Sequence, residues 1–261
     1  MSSSKAKPGA KLYQADPVAA SDGAVSSWFS FAHPSSVITG SGYSSVHDIL
    51  NPSSPATQSV DGRRPPSATS ANGLPIVTVS VSVLAVPLIA ARMNTATWGF
   101  WAWVKPTNAA DGILSFGTNG GASANFLWFN FNSSATNSKS EVWSGAQSRI
   151  MNKGSLTPGS WRFLTLEYNS SFSGDARFIL TLDGVVQSGT FSGTLGSMPA
   201  ALQSGVTGSG SLLSFGSAVA FPFVGSFGTN FGFLASAMAN VSTGLLTQQA
   251  RLSLMNYQRP T

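Results

Sequence analysis

The chain has 261 residues, of which 14 are basic and 9 acidic, for a net charge of +5. The charged fraction of 9% is far below the roughly 25% of an ordinary soluble domain, while 44 serines, 27 glycines, 17 phenylalanines and 7 tryptophans are present. This excludes a disordered chain, which would lack aromatics, and a helical bundle, which would be built mainly of Ala, Glu, Lys, Leu and Arg. With no cysteine, thiolate metal sites and thiol catalysis are excluded as well.

The first segment, MSSSKAKPGAK, is polar and has no apolar stretch after its lysines, so it does not read as a secretory signal. Residues 1–24 read as an extended N-terminal arm, with Lys5, Lys7 and Lys11 ahead of the first acid, Asp16. Fixing backbone costs about 1–2 kcal/mol per residue, which a Ser/Lys/Gly arm cannot recover from its own contacts. Two readings stand: a solvated tail, or an arm that is ordered because it binds another chain; the second is the expectation taken, with Lys5, Lys7 and Lys11 facing an acidic patch and Leu12 and Tyr13 as apolar anchors. No nucleic-acid motif or basic stripe accompanies the lysines, so no nucleic-acid partner is expected.

Residues 25–75 form a Ser/Pro/Gly-rich leader, expected to pack on the domain that follows. The stretch 74–91, LPIVTVSVSVLAVPLIAA, has nearly the length of a membrane span. Two prolines interrupt it, and Val77, Val79, Val81 and Val83 alternate with Thr78, Ser80 and Ser82. That period of two predicts a strand over 76–84 and no membrane partner. Further strands are predicted over 97–104, 112–117, 125–131, 140–144, 160–168, 176–183, 185–191, 211–216 and 222–228. Asp183-Gly184 marks a hairpin turn between two of them. Short strands at this spacing predict an all-β, two-sheet antiparallel sandwich over 76–261. Thr247 can cap a short C-terminal helix over 248–257, with Arg251, Leu254 and Tyr257 on one face. Trp101, Trp103, Trp161, Leu164, Leu166, Phe178, Leu180 and Leu182 are expected to supply much of the core; where residues of one strand face opposite ways, one of the two sets is expected to fail.

The blocks WGFWAWVKP (98–106), ILSFG (113–117), NFLWFNF (125–131), PGSWRFLTLEYN (158–169) and ARFILTLDGVV (176–186) resemble, in order, the concanavalin A-like/laminin-G-like jelly roll. Phe223-Val224-Gly225 and the terminal helix occupy that family's last two places. Trp28, Phe31 to Val37, Val46-His47-Asp48, Asn51-Pro52, Gln58, Arg64-Pro65 and Asn72 to Pro75 resemble a leader that precedes such jelly rolls in tailed-bacteriophage structural proteins and related bacterial surface proteins. Where that leader runs into a strand ending Phe-Asp-Gly, this chain reads IVTVSVSVLAV, so any role of that Asp is absent.

The resemblance implies a non-enzymatic virion protein, made in the host cytoplasm, that decorates a head or tail. It would attach through its arm to capsid or tail proteins and to copies of itself. The alternative it implies is a carbohydrate-binding module that recognises host glycans. Trp128 and Trp143 are then candidate sugar platforms, whereas at least part of the cluster Trp98, Trp101 and Trp103 is expected to be core.

A glycoside hydrolase needs two carboxylates about 5–9.5 Å apart. The two glutamates, Glu141 and Glu167, each lie far from other acids, so no catalytic residues are assigned. His33 and His47 have no triad or metal spacing around them. Calcium is common among laminin-G-like relatives, and Asp111, Asp175 and Asp183 fall at predicted strand ends. Its six to eight oxygen ligands usually include paired acids, which the jelly roll lacks, so no metal and no other cofactor is expected. The sequons at Asn132, Asn169 and Asn240 are read as unused.

Overall fold

A computed structural model of the chain describes residues 27–31, 33–59, 61–69, 71–73, 75–78, 83–86, 97–105, 112–117, 126–131, 138–144, 147–153, 159–169, 171–187, 189–194, 196–197, 212–216 and 233–240, together with Gln249, Leu252, Met255 and Thr261. Its strands are β1 (Ser27–Ser30), β2 (Val37–Thr39), β3 (Gly42–Asp48), β4 (Ala56–Thr57), β5 (Ser67–Thr69), β6 (Pro75–Thr78), β7 (Val83–Val86), β8 (Trp98–Lys105) and β9 (Gly112–Gly117). They continue as β10 (Phe126–Phe131), β11 (Ser138–Ser144), β12 (Gln147–Lys153), β13 (Arg162–Tyr168), β14 (Phe178–Leu182), β15 (Val185–Val186), β16 (Gly189–Ser192), β17 (Leu212–Gly216) and β18 (Phe233–Asn240). Every pairing is antiparallel. Among the described residues, no helix is long and apolar enough to cross a membrane.

The strands form two sheets. In sheet A the order runs β15, β14, β13, β8, β18, and the far side of β18 is shared by β1 and β6. In sheet B it runs β16, β12, β11, β10, β9, β17, β7, β4, β3, β2. Strand β3 joins the two. Its end pairs with β1 in sheet A (Ser30 opposite His47), and its start pairs with β2 and β4 in sheet B (Val46 opposite Ala56). The leader therefore supplies strands to both sheets.

Sheet A is buried on both faces. One face carries Trp28, Ile76, Trp101, Trp103 and Phe163 as a single cluster, onto which Ile49, Leu50, Ala68, Trp161 and Met255 pack. The other carries Phe100, Ala102, Leu164, Leu166, Leu180 and Leu182, all buried. This is why β8 reads WGFWAWV without polar alternation: a strand covered on both sides needs apolar residues at every position. Gly99 fits the same packing, because a Cβ there would lie 2.5 Å from the Trp101 ring.

The Asp183-Gly184 turn forms as predicted, with φ of 50° and 80°. Positive φ at both central residues is the two-residue turn that matches strand twist. Met255 and Leu252 carry helical backbone and are half-buried, with Leu252 Cδ2 packed 3.3 Å from where a Gly184 Cβ would stand. These two residues turn inward; the expected face of Arg251, Leu254 and Tyr257 lies outside the described residues.

Three expectations are corrected. The predicted strand 76–84 is two strands in different sheets: β6 pairs with β18 in sheet A and β7 with β17 in sheet B. The predicted strand 185–191 is likewise two, with β15 on β14 and β16 on β12. Trp161 is half-buried at the margin of the cluster rather than inside it. The other seven expected core residues are buried on both faces of sheet A, so neither of the oppositely facing sets fails.

Candidate functional site

Residues opposite one another in an antiparallel pair share a face of the sheet. In sheet B one such row crosses nine strands. It runs Ser45, Thr57, Ala85, Ser214, Ser115, Trp128, Glu141, Ile150 and Ser192, from β3 to β16. Two residues along the strands, on the same face, lie the rows Phe126–Trp143–Ser148 and Asn130–Lys139–Asn152–Thr190. Trp128 and Trp143 are thus diagonal neighbours on adjacent strands, and Glu141 is directly opposite Trp128.

The opposite face holds Phe116, Leu127, Phe129, Val142, Met151 and Leu213, together with Ser140 and Arg149. Exposure is described only at the margins of the sheet, where Ser45 of the long row is half-buried and Tyr43, on the same side of β3, is buried. At one end of the long row Thr57 is exposed, and its neighbour Ala56, on the apolar face, is buried. At the other end Ser192 and Thr190 are exposed and Phe191 is half-buried.

This face was only partly readable from sequence. Both candidate tryptophans were named, but Phe126, Lys139 and Glu141 were not assigned to their surface. The strand NFLWFNF has aromatics at both parities, so alternation alone could not choose between its faces. The register with β11 shows only which residues share a face with Trp128. Trp101 and Trp103, in contrast, are fully buried in sheet A and form no surface platform.

The carboxylates are dispersed. Glu167 is fully buried in sheet A, between Gly99 and Ile179 on the neighbouring strands, while Glu141 lies in sheet B. Asp183 is committed to structure: Oδ1 accepts from Phe163 N at 2.8 Å, and Oδ2 lies 2.7 Å from Arg162 Nε as a charge contact rather than an aligned hydrogen bond. Asp48 is buried, and its Oδ1 accepts from Trp28 N, Leu50 N and Asn51 N while Oδ2 accepts from Asn51 Nδ2. Among the described residues, no group of three or more His, Asp or Glu is placed to hold a metal ion. Asp111 lies outside them.

His33 and His47, which sequence spacing left isolated, are brought together. Their rings stack with centroids 4.1 Å apart and 14° between planes. His33 Nδ1 accepts a hydrogen bond from Ser35 N at 3.2 Å. Burial, and after it the neighbouring His47, holds the His33 pKa below its ordinary 6.5. The expected partner-binding residues Lys5, Lys7, Lys11, Leu12 and Tyr13 lie outside the described residues, as does the predicted strand 222–228.

No protein-family model matches the sequence, and no curated protein matches it significantly. Solved structures do match. The Trypanosoma rangeli sialidase in complex with 2,3-difluorosialic acid superimposes with a TM-score of 0.55 at 13% identity, over 88% of this chain and 32% of that one. A mutant of that sialidase displaying trans-sialidase activity gives 0.51 at 11% identity, with the same coverage. The chain thus spans about a third of that enzyme's length, and the likeness is one of fold. The Ruminococcus gnavus IT-sialidase CBM40 bound to α2,3 sialyllactose matches with a TM-score of 0.47 at 12% identity, over 68% of this chain and 95% of that one.

Proposed function

We propose that the chain is a non-enzymatic carbohydrate-binding module: a lectin-like jelly-roll sandwich whose outer sheet B face is the glycan platform. The observation that carries this reading is the register that makes Trp128 and Trp143 diagonal neighbours on one face of sheet B, with Glu141 opposite Trp128 and Lys139 two residues before Glu141. An indole presents a broad apolar face, and sugar rings present axial C–H groups that stack on it. Flanking carboxylate, ammonium and amide groups then fix orientation through hydrogen bonds. Saccharide sites combine such an apolar platform with a few placed polar groups. The rows of Asn130, Lys139 and Asn152 and of Ser115 and Ser148 supply those around the tryptophans.

The experiment is a glycan array probed with the whole chain, followed by titration of each hit against Trp128→Ala and Trp143→Ala. Binding that both substitutions weaken supports the platform. Binding that neither affects places the glycan elsewhere.

Attachment to a virion through the arm is a separate proposal, resting on the leader resemblance and on residues 1–24. Deleting residues 1–13 should leave the sheets folded but prevent incorporation into a particle; normal incorporation of the truncated chain would refute it.

A further inference from the structure

We propose that the stacked His33–His47 pair is an acid-sensitive latch, holding the 31–39 segment against β3 where the two sheets meet. The pair stands at a junction. His47 is opposite Ser30 in sheet A, and the residue before it, Val46, is opposite Ala56 in sheet B. The segment folds back through a short relay. Ser36 N donates to His33 O at 2.9 Å, Ser36 Oγ donates to Ser30 O at 2.8 Å, and the same Oγ accepts from His47 N at 2.9 Å. Tyr43 Oη donates to Phe31 O at 2.8 Å from the other side of the hairpin.

This arrangement requires a neutral His33. Its Nδ1 is the acceptor for Ser35 N, and a protonated Nδ1 would present a hydrogen to that donor instead. Protonating both rings would also stack two cations face to face at 4.1 Å. Among the described residues, the nearby carboxylates are engaged elsewhere. His47 itself, from β3, opposes a charge on His33. The Asp48 carboxylate is turned to the Trp28, Leu50 and Asn51 amides, and Asp61 pairs with Arg64 beside Ser41.

The direction follows from linkage. The unfolded segment takes up a proton near pH 6.5, and the folded one resists it because burial and His47 lower the pKa. The latch is complete above pH 6.5 and is lost as pH falls through the lower folded value. Its release would free β2, whose Val37 and Ile38 are already 46% and 53% exposed, and would uncover one edge of β3.

The test is NMR of the whole chain: ring-proton titration of both histidines, and hydrogen exchange of the Ser35, Ser36 and His47 amides at about pH 7.5 and about pH 5, corrected for intrinsic rates. Protection at these amides should fall in acid, with His33 titrating below 6.5. His33→Phe keeps a ring that can stack but cannot protonate, and it should remove the acid-dependent loss. Unchanged protection in acid, the same loss in His33→Phe, or a His33 titration at or above 6.5 would overturn the proposal. If His33→Phe does not fold, the titration and exchange of the unmodified chain decide it alone.

Discussion

Asp183 and Phe163 bind each other twice across the corner of sheet A. Asp183 N donates to Phe163 O at 2.8 Å, and Phe163 N donates to Asp183 Oδ1 at 2.8 Å. The same Asp183 opens the β14–β15 turn with φ of 50°. One residue therefore sets the turn and ties it to the neighbouring strand.

Asp183→Ala should cost about 1–3 kcal/mol, because it strands the Phe163 amide and places an ordinary side chain at positive φ. Asp183→Asn keeps an acceptor and tolerates that φ. It loses mainly the exposed contact with Arg162, which contributes under about 1 kcal/mol. Urea unfolding of the two variants checks the order; equal losses would show that the backbone bond alone holds the corner.

Trp103 is fully buried against Phe163, with ring centroids 5.5 Å apart, whereas Trp161 is only half-buried beside them. Trp103→Ala should cost roughly 3–5 kcal/mol and Trp161→Ala clearly less. Thermal unfolding of both gives the comparison, and a larger loss at Trp161 would contradict the burial assigned to sheet A.

Tyr168 is buried on sheet A, which pushes its phenol pKa up to about 12; Arg177 opposes the shift without cancelling it. The folded chain holds this proton where the unfolded chain, near 10, releases it. The stability from the neutral phenol is thus present below pH 10 and lost as pH rises from 10 towards 12. Ultraviolet titration should show one of the four tyrosines ionising about two units late, together with alkaline unfolding. Tyr168→Phe should abolish the late step.

What the sequence revealed depended on whether a feature is local. The Asp183-Gly184 turn was readable because two adjacent residues determine it. The strands β8 and β13 were readable from their aromatic and β-branched runs. The division of 76–84 between two sheets was not, because Val77 and Val83 look alike until β18 and β17 select them. Strand β18, FLASAMAN, was missed: its small residues carry little strand signal, and its place is set by β1, β6 and β8 around it. The joint at β3 and the meeting of His33 with His47 are long-range pairings for which no local pattern exists. Trp128 and Trp143 were candidates only through the carbohydrate-binding alternative that the resemblance implies, and their adjacency came only from the β10–β11 register.

The central claim is that the sheet B face binds glycan through its two tryptophans. The direct measurement is calorimetric titration of an array-identified saccharide into the unmodified chain, Trp128→Ala and Trp143→Ala, with the saccharide analysed afterwards for cleavage. The account predicts measurable binding, an affinity loss of roughly tenfold or more in each variant, equivalent to about 1.4 kcal/mol, unchanged melting temperatures, and saccharide recovered intact. Equal affinity in all three proteins would contradict the platform, and release of reducing sugar abolished by Glu141→Gln or Glu167→Gln would contradict its description as a binding module.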